Sequence, residues 1–152
     1  IICRPHNFYG PDMGVGHVIP QFILRMIKLS NNLTKKNILF PIEGSGEETR
    51  SFCYIDDLVN ALINLMKSNL SEPVNLGNPN EVSILELAKE IKEISGSCSD
   101  IVFSDLPLDD PLKRKPDIEK AKKLLKWEPQ ISREDGLLKT YEYYQKLIEH
   151  SN

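Results

Sequence analysis

The chain has 152 residues, 40% of them apolar and 27% charged, with a formal net charge of -3. That length supports one domain with a core of its own. The acidic balance excludes a nucleic-acid or anionic-membrane binder, because both need a basic surface. No run of ~18 apolar residues and no signal-peptide pattern occurs, so no membrane span is expected. Cys3, Cys53 and Cys98 are odd in number and far apart, which points to free thiols and a cytoplasmic location rather than a disulfide or a metal site.

Ile1-Ile2-Cys3 is an apolar, β-prone opening that breaks at once into the loop Arg4-Pro5-His6-Asn7-Phe8-Tyr9-Gly10-Pro11. A strand feeding straight into such a loop reads as the second half of a longer chain. Val18, Ile19, Phe22, Ile23, Met26 and Ile27 recur at helical spacing and predict a helix ending near Ser30. Ile38-Leu39-Phe40 is a strand candidate, and the segment from Ile42 to Arg50 is a turn with two glycines. Ser51 to Ile55 is β-prone, after which Asp56 or Asp57 supplies a helix N-cap and Leu58, Ala61, Leu62, Leu65 and Met66 form the buried face.

A short strand over 73–77 closes in the turn cluster Gly77-Asn78-Pro79-Asn80. Ser83 and Glu86 have capping-box spacing for a helix burying Leu87, Ala88, Ile91 and Ile94 and stopping at Gly96. Asp100 to Phe103 reads as a strand, and Pro107 to Pro116 as a charged loop. Asp117 caps a helix with Ile118, Ala121, Leu124 and Leu125 that ends at Trp127-Glu128-Pro129. Ser132 to Asp135 opens a last helix carrying Leu137, Leu138, Tyr141 and Ile148. Strands and helices alternate, so the class is α/β or α+β.

Self-contained catalytic motifs are missing: no G-x-G-x-x-G, P-loop, C-x-x-C or H-E-x-x-H is present. Gly44-Ser45-Gly46 is not a nucleophile elbow, because a strand follows it instead of a helix. Asp56-Asp57 sits at a helix start and reads as capping, Asp109-Asp110 as a solvated turn, and no metal site emerges. More telling are Arg4, Arg50 and Arg114, each beside a strand end or a Pro-rich loop, since guanidinium groups bind phosphate oxygens bidentately. Asn7 and Asn75 stand at short apolar strands, where a carboxamide can both donate and accept.

Four segments in order carry a family likeness: R-P-H-N-F-Y-G-P-D-M with H-V-I-P-Q-F, then G-S-G-E-E-T-R-S-F-C-Y-I-D-D, V-N-L-G-N-P-N-E, and D-D-P-L-K-R-K-P-D-I-E-K-A-K-K-L-L-K-W-E-P. Together they resemble the C-terminal half of the NAD-dependent sugar-nucleotide epimerases and dehydratases, the extended short-chain dehydrogenase/reductases. The last segment is most similar to UDP-glucuronate decarboxylases. The resemblance implies the C-terminal portion of an extended Rossmann-type α/β fold: the last strands of the parallel sheet plus a small mixed substrate-binding lobe. Residues 1–152 would be a single partial domain, with strands near 1–3 and 74–76 belonging to the dinucleotide-binding sheet and the N-terminal NAD-binding half absent.

By position, the resemblance gives Asn7 a contact with the sugar or diphosphate and lets His17, Val18 and Ile19 line the nucleotide base. Arg50 and Arg114 would hold the diphosphate, Asn75 would support the nucleotide, and Arg4 could approach the sugar. It implies a nucleoside-diphosphate sugar, UDP-linked, as substrate, NAD as cofactor in the full-length protein, a 4-keto intermediate and a homodimer. Epimerisation, dehydration and decarboxylation stay open, because Asp12 replaces the arginine that decarboxylases carry after G-P and Glu43 stands where dehydratases often place an aromatic.

The family's Tyr-x-x-x-Lys pair is absent: Tyr141, Tyr143 and Tyr144 lie near Lys146, none of them four residues before it. General-base chemistry needs that positioned tyrosine, so no catalytic residue is expected here and the isolated chain would be inactive. The alternative is a non-catalytic nucleotide-sugar binding module without the NAD site. Strands lacking their sheet neighbours would leave the isolated chain unstable or oligomeric.

Overall fold

Short apolar runs closed by Gly, Pro or Asn become short strands, and the longer periodic runs become helices. The computed structural model describes residues 1–30, 38–105 and 113–150. In chain order its elements are β1 (Cys3–Pro5), β2 (Phe8–Tyr9), α1 (Val18–Ser30), β3 (Leu39–Glu43), β4 (Thr49–Ser51), β5 (Cys53–Tyr54), α2 (Ile55–Met66), β6 (Val74–Leu76), β7 (Glu81–Ser83), α3 (Ile84–Ser95), β8 (Asp100–Ser104), β9 (Lys113–Arg114), α4 (Glu119–Leu125) and α5 (Arg133–Glu149). Asp109-Asp110 and most of the Pro-rich loop lie outside the described residues.

Three strand pairs are parallel: β1 with β6, β2 with β5, and β3 with β8. Parallel partners require long crossovers, which the intervening helices supply. The fourth sheet is mixed, with β4 antiparallel to β7 and parallel to β9. Neither β7 nor β9 was expected. Two- and three-residue strands carry no readable period, and only their partner β4 makes them strands.

Two cores result. In the first, α1 buries Ile19, Phe22, Ile23, Met26 and Ile27 against α3, α5 and the strand residues Phe40, Ile42 and Tyr9. The i, i+3, i+4, i+7, i+8 spacing of those five is the stripe that a half-buried helix needs. The second core joins Val74 and Leu76 of β6 to Ala61 and Leu65 of α2, with Ala121 and Trp127.

The expected caps hold at two helices. Ser83 and Glu86 form a full capping box at α3, which ends on Gly96 at φ 63, and Ser132 accepts the Asp135 amide at α5. Asp117 does not occupy the expected cap position of α4, which is Ile118 with no side-chain cap, because the helix starts one residue later; it accepts the Glu119 amide at 2.9 Å from outside the helix.

Three further expectations need correction. The α2 cap position is Tyr54, with no side-chain cap, because the helix starts at Ile55 directly from β5. Asp57 is instead 2% exposed and accepts the amides of Gln130 (3.1 Å) and Ile131 (3.0 Å), while its carbonyl accepts the Trp127 indole. Met66 is 74% exposed, because the α2 stripe runs through Leu58, Ala61, Leu62 and Leu65; with Val59 and Ile63 it forms a second, exposed apolar stripe. Leu124 and Leu138 are also exposed; α5 packs through Leu137, Thr140 and Tyr144.

The β3–β4 turn has both glycines at positive φ, Gly44 at 80° and Gly46 at 79°. Glu48 fastens it: one carboxylate oxygen accepts the Ser45 amide and hydroxyl, each at 3.1 Å. Hydrogen bonding from its own amide, joined by the Ser45 and Gly46 groups, outweighs burial and holds the Glu48 carboxyl below its ordinary value of 4.5.

Two outcomes test this packing. Gly136 lies under the Tyr9 hydroxyl, and a Cβ there would also stand 2.9 Å from the Tyr54 ring. Gly136→Ala is therefore expected to destabilise the protein by about 1–3 kcal/mol in urea unfolding, although alanine in a helix interior otherwise gains about 1 kcal/mol. A carboxyl with a depressed native pKa contributes stability above its unfolded pKa and loses it as pH falls through the native one. Between about pH 6 and about pH 3, Glu48→Gln should thus show a flatter loss of urea midpoint than the unmodified protein.

Candidate functional site

A cavity of about 660 Å³ opens between the start of α1, the ends of β2 and β3, and the face of β4–β9. That volume suits a small-molecule ligand. Six of the residues singled out from the sequence line it: Asn7, His17, Val18, Ile19, Arg50 and Arg114. Asn75 and Arg4 are not among the lining residues. They are register partners on β6 and β1, and the Asn75 amide nitrogen donates to the Asp117 carbonyl at 3.1 Å.

Arg50 and Arg114 meet through the sheet. They are direct partners across β4 and β9, in a parallel pair, so their side chains leave the same face of neighbouring strands. Arg50 is 7% exposed, and one guanidinium nitrogen donates to the Thr49 carbonyl at 2.9 Å. Arg114 is exposed. Two guanidiniums on adjacent strands suit two adjacent anionic groups.

Asn7 sits where the chain turns from β1 into β2, at φ 44, a left-handed conformation that asparagine tolerates better than most residues. Its carbonyl accepts the Cys53 amide at 3.1 Å, which ties β2 to β5. Gly16, His17 and Val18 bring the N-terminal end of α1 to the cavity wall, so the positive end of the helix dipole adds to the arginines.

Next to this group stands His6, after β1, with its Nδ1 buried and without a hydrogen-bond partner among the described residues. Burial, reinforced by the nearby Arg114 charge, lowers its pKa and keeps it neutral.

Several lining residues were not singled out from the sequence: Tyr9, Gln21, Phe22, Arg25, Glu43, Glu48 and Ser104. A signal existed for two of them. Gln21 and Arg25 stand three and seven positions after Val18, so they continue its line along α1. Attention to the apolar stripe concealed that polar flank. Glu43 and Ser104 are brought together only by the β3–β8 register.

The α5 tyrosines lie outside the cavity lining. Tyr144 donates its hydroxyl to the Met13 carbonyl at 2.5 Å and Tyr143 to the Asp12 carboxylate at 3.2 Å, so they strap down the loop between β2 and α1. Burial pushes the Cys53 thiol up to about 12, which leaves it an inert core group. All three cysteines are free, and among the described residues no cluster able to hold a metal ion and no helix long and apolar enough to cross a membrane is found.

Comparison with known proteins places this geometry. A UDP-glucuronic acid decarboxylase 1 from Xenopus tropicalis is 48% identical over 151 residues, covering 98% of this chain and 34% of that protein. Its counterpart in Danio rerio is 46% identical with the same coverage. The chain thus spans about a third of the length of these curated relatives.

Among solved structures, a UDP-glucose 4-epimerase from Thermotoga maritima, crystallised with UDP-glucose, superposes with a TM-score of 0.84 at 33% identity, over 96% of this chain and 46% of that one. A Bacillus cereus UDP-glucuronic acid 4-epimerase in complex with UDP-glucuronic acid and NAD gives 0.84 at 29% identity, over 97% and 45%. The fold is accordingly that of the Rossmann-type epimerases, of which the chain covers a part. The model of the NAD dependent epimerase/dehydratase family matches residues 1–77, and the chain belongs to that family.

Proposed function

We propose that this chain is the nucleotide-sugar binding part of an NAD-dependent enzyme that works on a nucleoside-diphosphate sugar, UDP-linked, through a 4-keto intermediate. The observation that carries the reading is the paired Arg50 and Arg114 on one wall of the cavity, with Asn7 and the α1 N-terminus beside them. These groups supply the positive field and hydrogen-bond donors that a diphosphate needs.

In this reading β1 and β6 are strands of the dinucleotide-binding sheet. Ligands of open α/β sheets lie outside the carboxyl ends of the strands, which is where Asn7 and His6 stand. NAD, when bound, takes up and returns a hydride. The residues at hand fit its presence at that edge: the buried, unpartnered Nδ1 of His6 is a hydrogen-bonding atom left open there. The phosphate-cradling glycine loop is not among this chain's motifs, so the preceding part of the polypeptide would supply it, together with the catalytic tyrosine. That part would also cover the exposed Ile1, Ile2 and the Val59, Ile63 and Met66 stripe of α2. The whole protein is read as a homodimer, and the free cysteines of this chain fit a reducing, cytoplasmic location.

A second reading is a binding module without catalysis, which would keep the same arginine-lined cavity. Product analysis of the intact protein with UDP-glucuronate, UDP-glucose and NAD separates the two. A new sugar nucleotide supports the enzyme and identifies its reaction, whereas unchanged substrates with retained binding support the module.

The diphosphate assignment has its own test. Arg50→Ala and Arg114→Ala in the intact protein should each weaken UDP binding by roughly 10- to 100-fold in calorimetry, the worth of a hydrogen bond to a charged group. Unchanged affinity in both variants would remove the arginines from the site.

A further inference from the structure

The stretch of chain that carries Arg50 also carries a carboxylate. Glu48, Arg50 and Phe52 line the cavity whereas Thr49 and Ser51 do not, which is the every-second-residue alternation of extended backbone. Glu48 and Arg50 therefore project from the same face, two residues apart. Glu48 is 7% exposed, and its Oε2 is buried without a hydrogen-bond partner among the described residues. The other oxygen accepts both Ser45 donors, and Gly44 makes room for the group: a Cβ there would stand 2.7 Å from the Glu48 carboxyl carbon. The carboxylate is thus fixed in place beside Arg50, and its lowered pKa keeps it charged at neutral pH.

This charge has the wrong sign for the ligand. Under the nucleotide reading above, on which this inference rests, a diphosphate brings its anionic oxygens to Arg50 and Arg114. A second carboxylate, Glu43, also lines the cavity, but it is exposed and screened by solvent. Glu48 lies out of water, where a charge acts strongly over several ångströms. Fastening the turn does not call for that charge, since a neutral amide oxygen would accept the same two bonds from Ser45.

We infer that Glu48 sets the affinity of the site: its carboxylate offsets part of the positive field of Arg50 and Arg114, weakens their hold on the diphosphate and so speeds the release of a bound nucleotide. It acts on the ligand through the field at Arg50 and not by contact, because its unpartnered oxygen is closed off from solvent.

The direction of the effect is the test, read by calorimetry with UDP on the intact protein. Glu48→Gln keeps an oxygen for Ser45 and removes the charge, so UDP should bind about 3- to 10-fold more tightly than to the unmodified protein. Uridine, which has no phosphate, should bind both proteins alike. Were Glu48 only a brace for the turn, the substitution would leave UDP binding unchanged or loosen Arg50 and weaken it. Either result, in a variant that still unfolds cooperatively in urea, overturns the inference, and so does an equal gain for uridine. Ser45→Ala takes a hydroxyl from the brace but leaves the charge; tighter UDP binding there would count against the inference as well. If Glu48→Gln does not fold, Glu48→Ala removes the same charge and is judged by the same result. Failure of the unmodified protein to bind UDP overturns the nucleotide reading itself, and this inference goes with it.

Discussion

Everything in the candidate site depends on β4 having a partner on each side. Through β7 the strand is tied to the start of α3, and through β9 it places Arg114 directly beside Arg50. Three residues with two neighbours form a firmer base for a charged side chain than a loop would, because the backbone of each is held by ladder hydrogen bonds. The turn that delivers β4 is held with equal care. Ile84 and Leu85 donate their amides to the carbonyls of Glu48 and Gly46, while the Glu48 carboxylate closes the turn from within. Two of the cavity's walls, β3–β8 and β4–β9, are thereby locked to one helix.

The same economy links the two cores. Asp57, at the start of α2, spends both carboxylate oxygens on the amides of Gln130 and Ile131 and its carbonyl on the Trp127 indole, so the α4–α5 connection is pinned to the second core. One turn later Arg133 forms a two-pronged pair with Glu90 of α3, at 2.7 and 2.6 Å, and its carbonyl accepts the Tyr9 hydroxyl at 3.3 Å. Such fork-to-fork contacts add orientation as well as energy. Helix α5 thus reaches α3, β2 and, through Tyr143 and Tyr144, the loop leading into α1. The binding loop is held in place from behind by a helix that itself contributes no lining residue among those of the cavity.

Local pattern sufficed wherever an element depends mainly on its own residues. The stripe of α1, the capping box of Ser83 and Glu86, the αL stop at Gly96 and the two-glycine turn were all legible, since each follows from side-chain spacing or a backbone conformation only certain residues adopt. Asn7, Arg50 and Arg114 were legible as a set because ordered motifs marked them. Asp57 was misread as a cap because an aspartate at a helix start looks the same whether it serves its own helix or a loop 73 residues on.

What the sequence by itself determined was the kind of chain this is, the places of its helices, and the chemistry it could bring to a ligand, all of them properties of neighbouring residues. Only the tertiary structure decided which of those groups meet. It set Arg114 beside Arg50, turned Asn75 toward Asp117 instead of the cavity, and assembled Arg25, Glu43 and Ser104 into one end of it. The reason is physical. Strand register and helix packing join residues 60 or more positions apart, and no local periodicity encodes such a pairing.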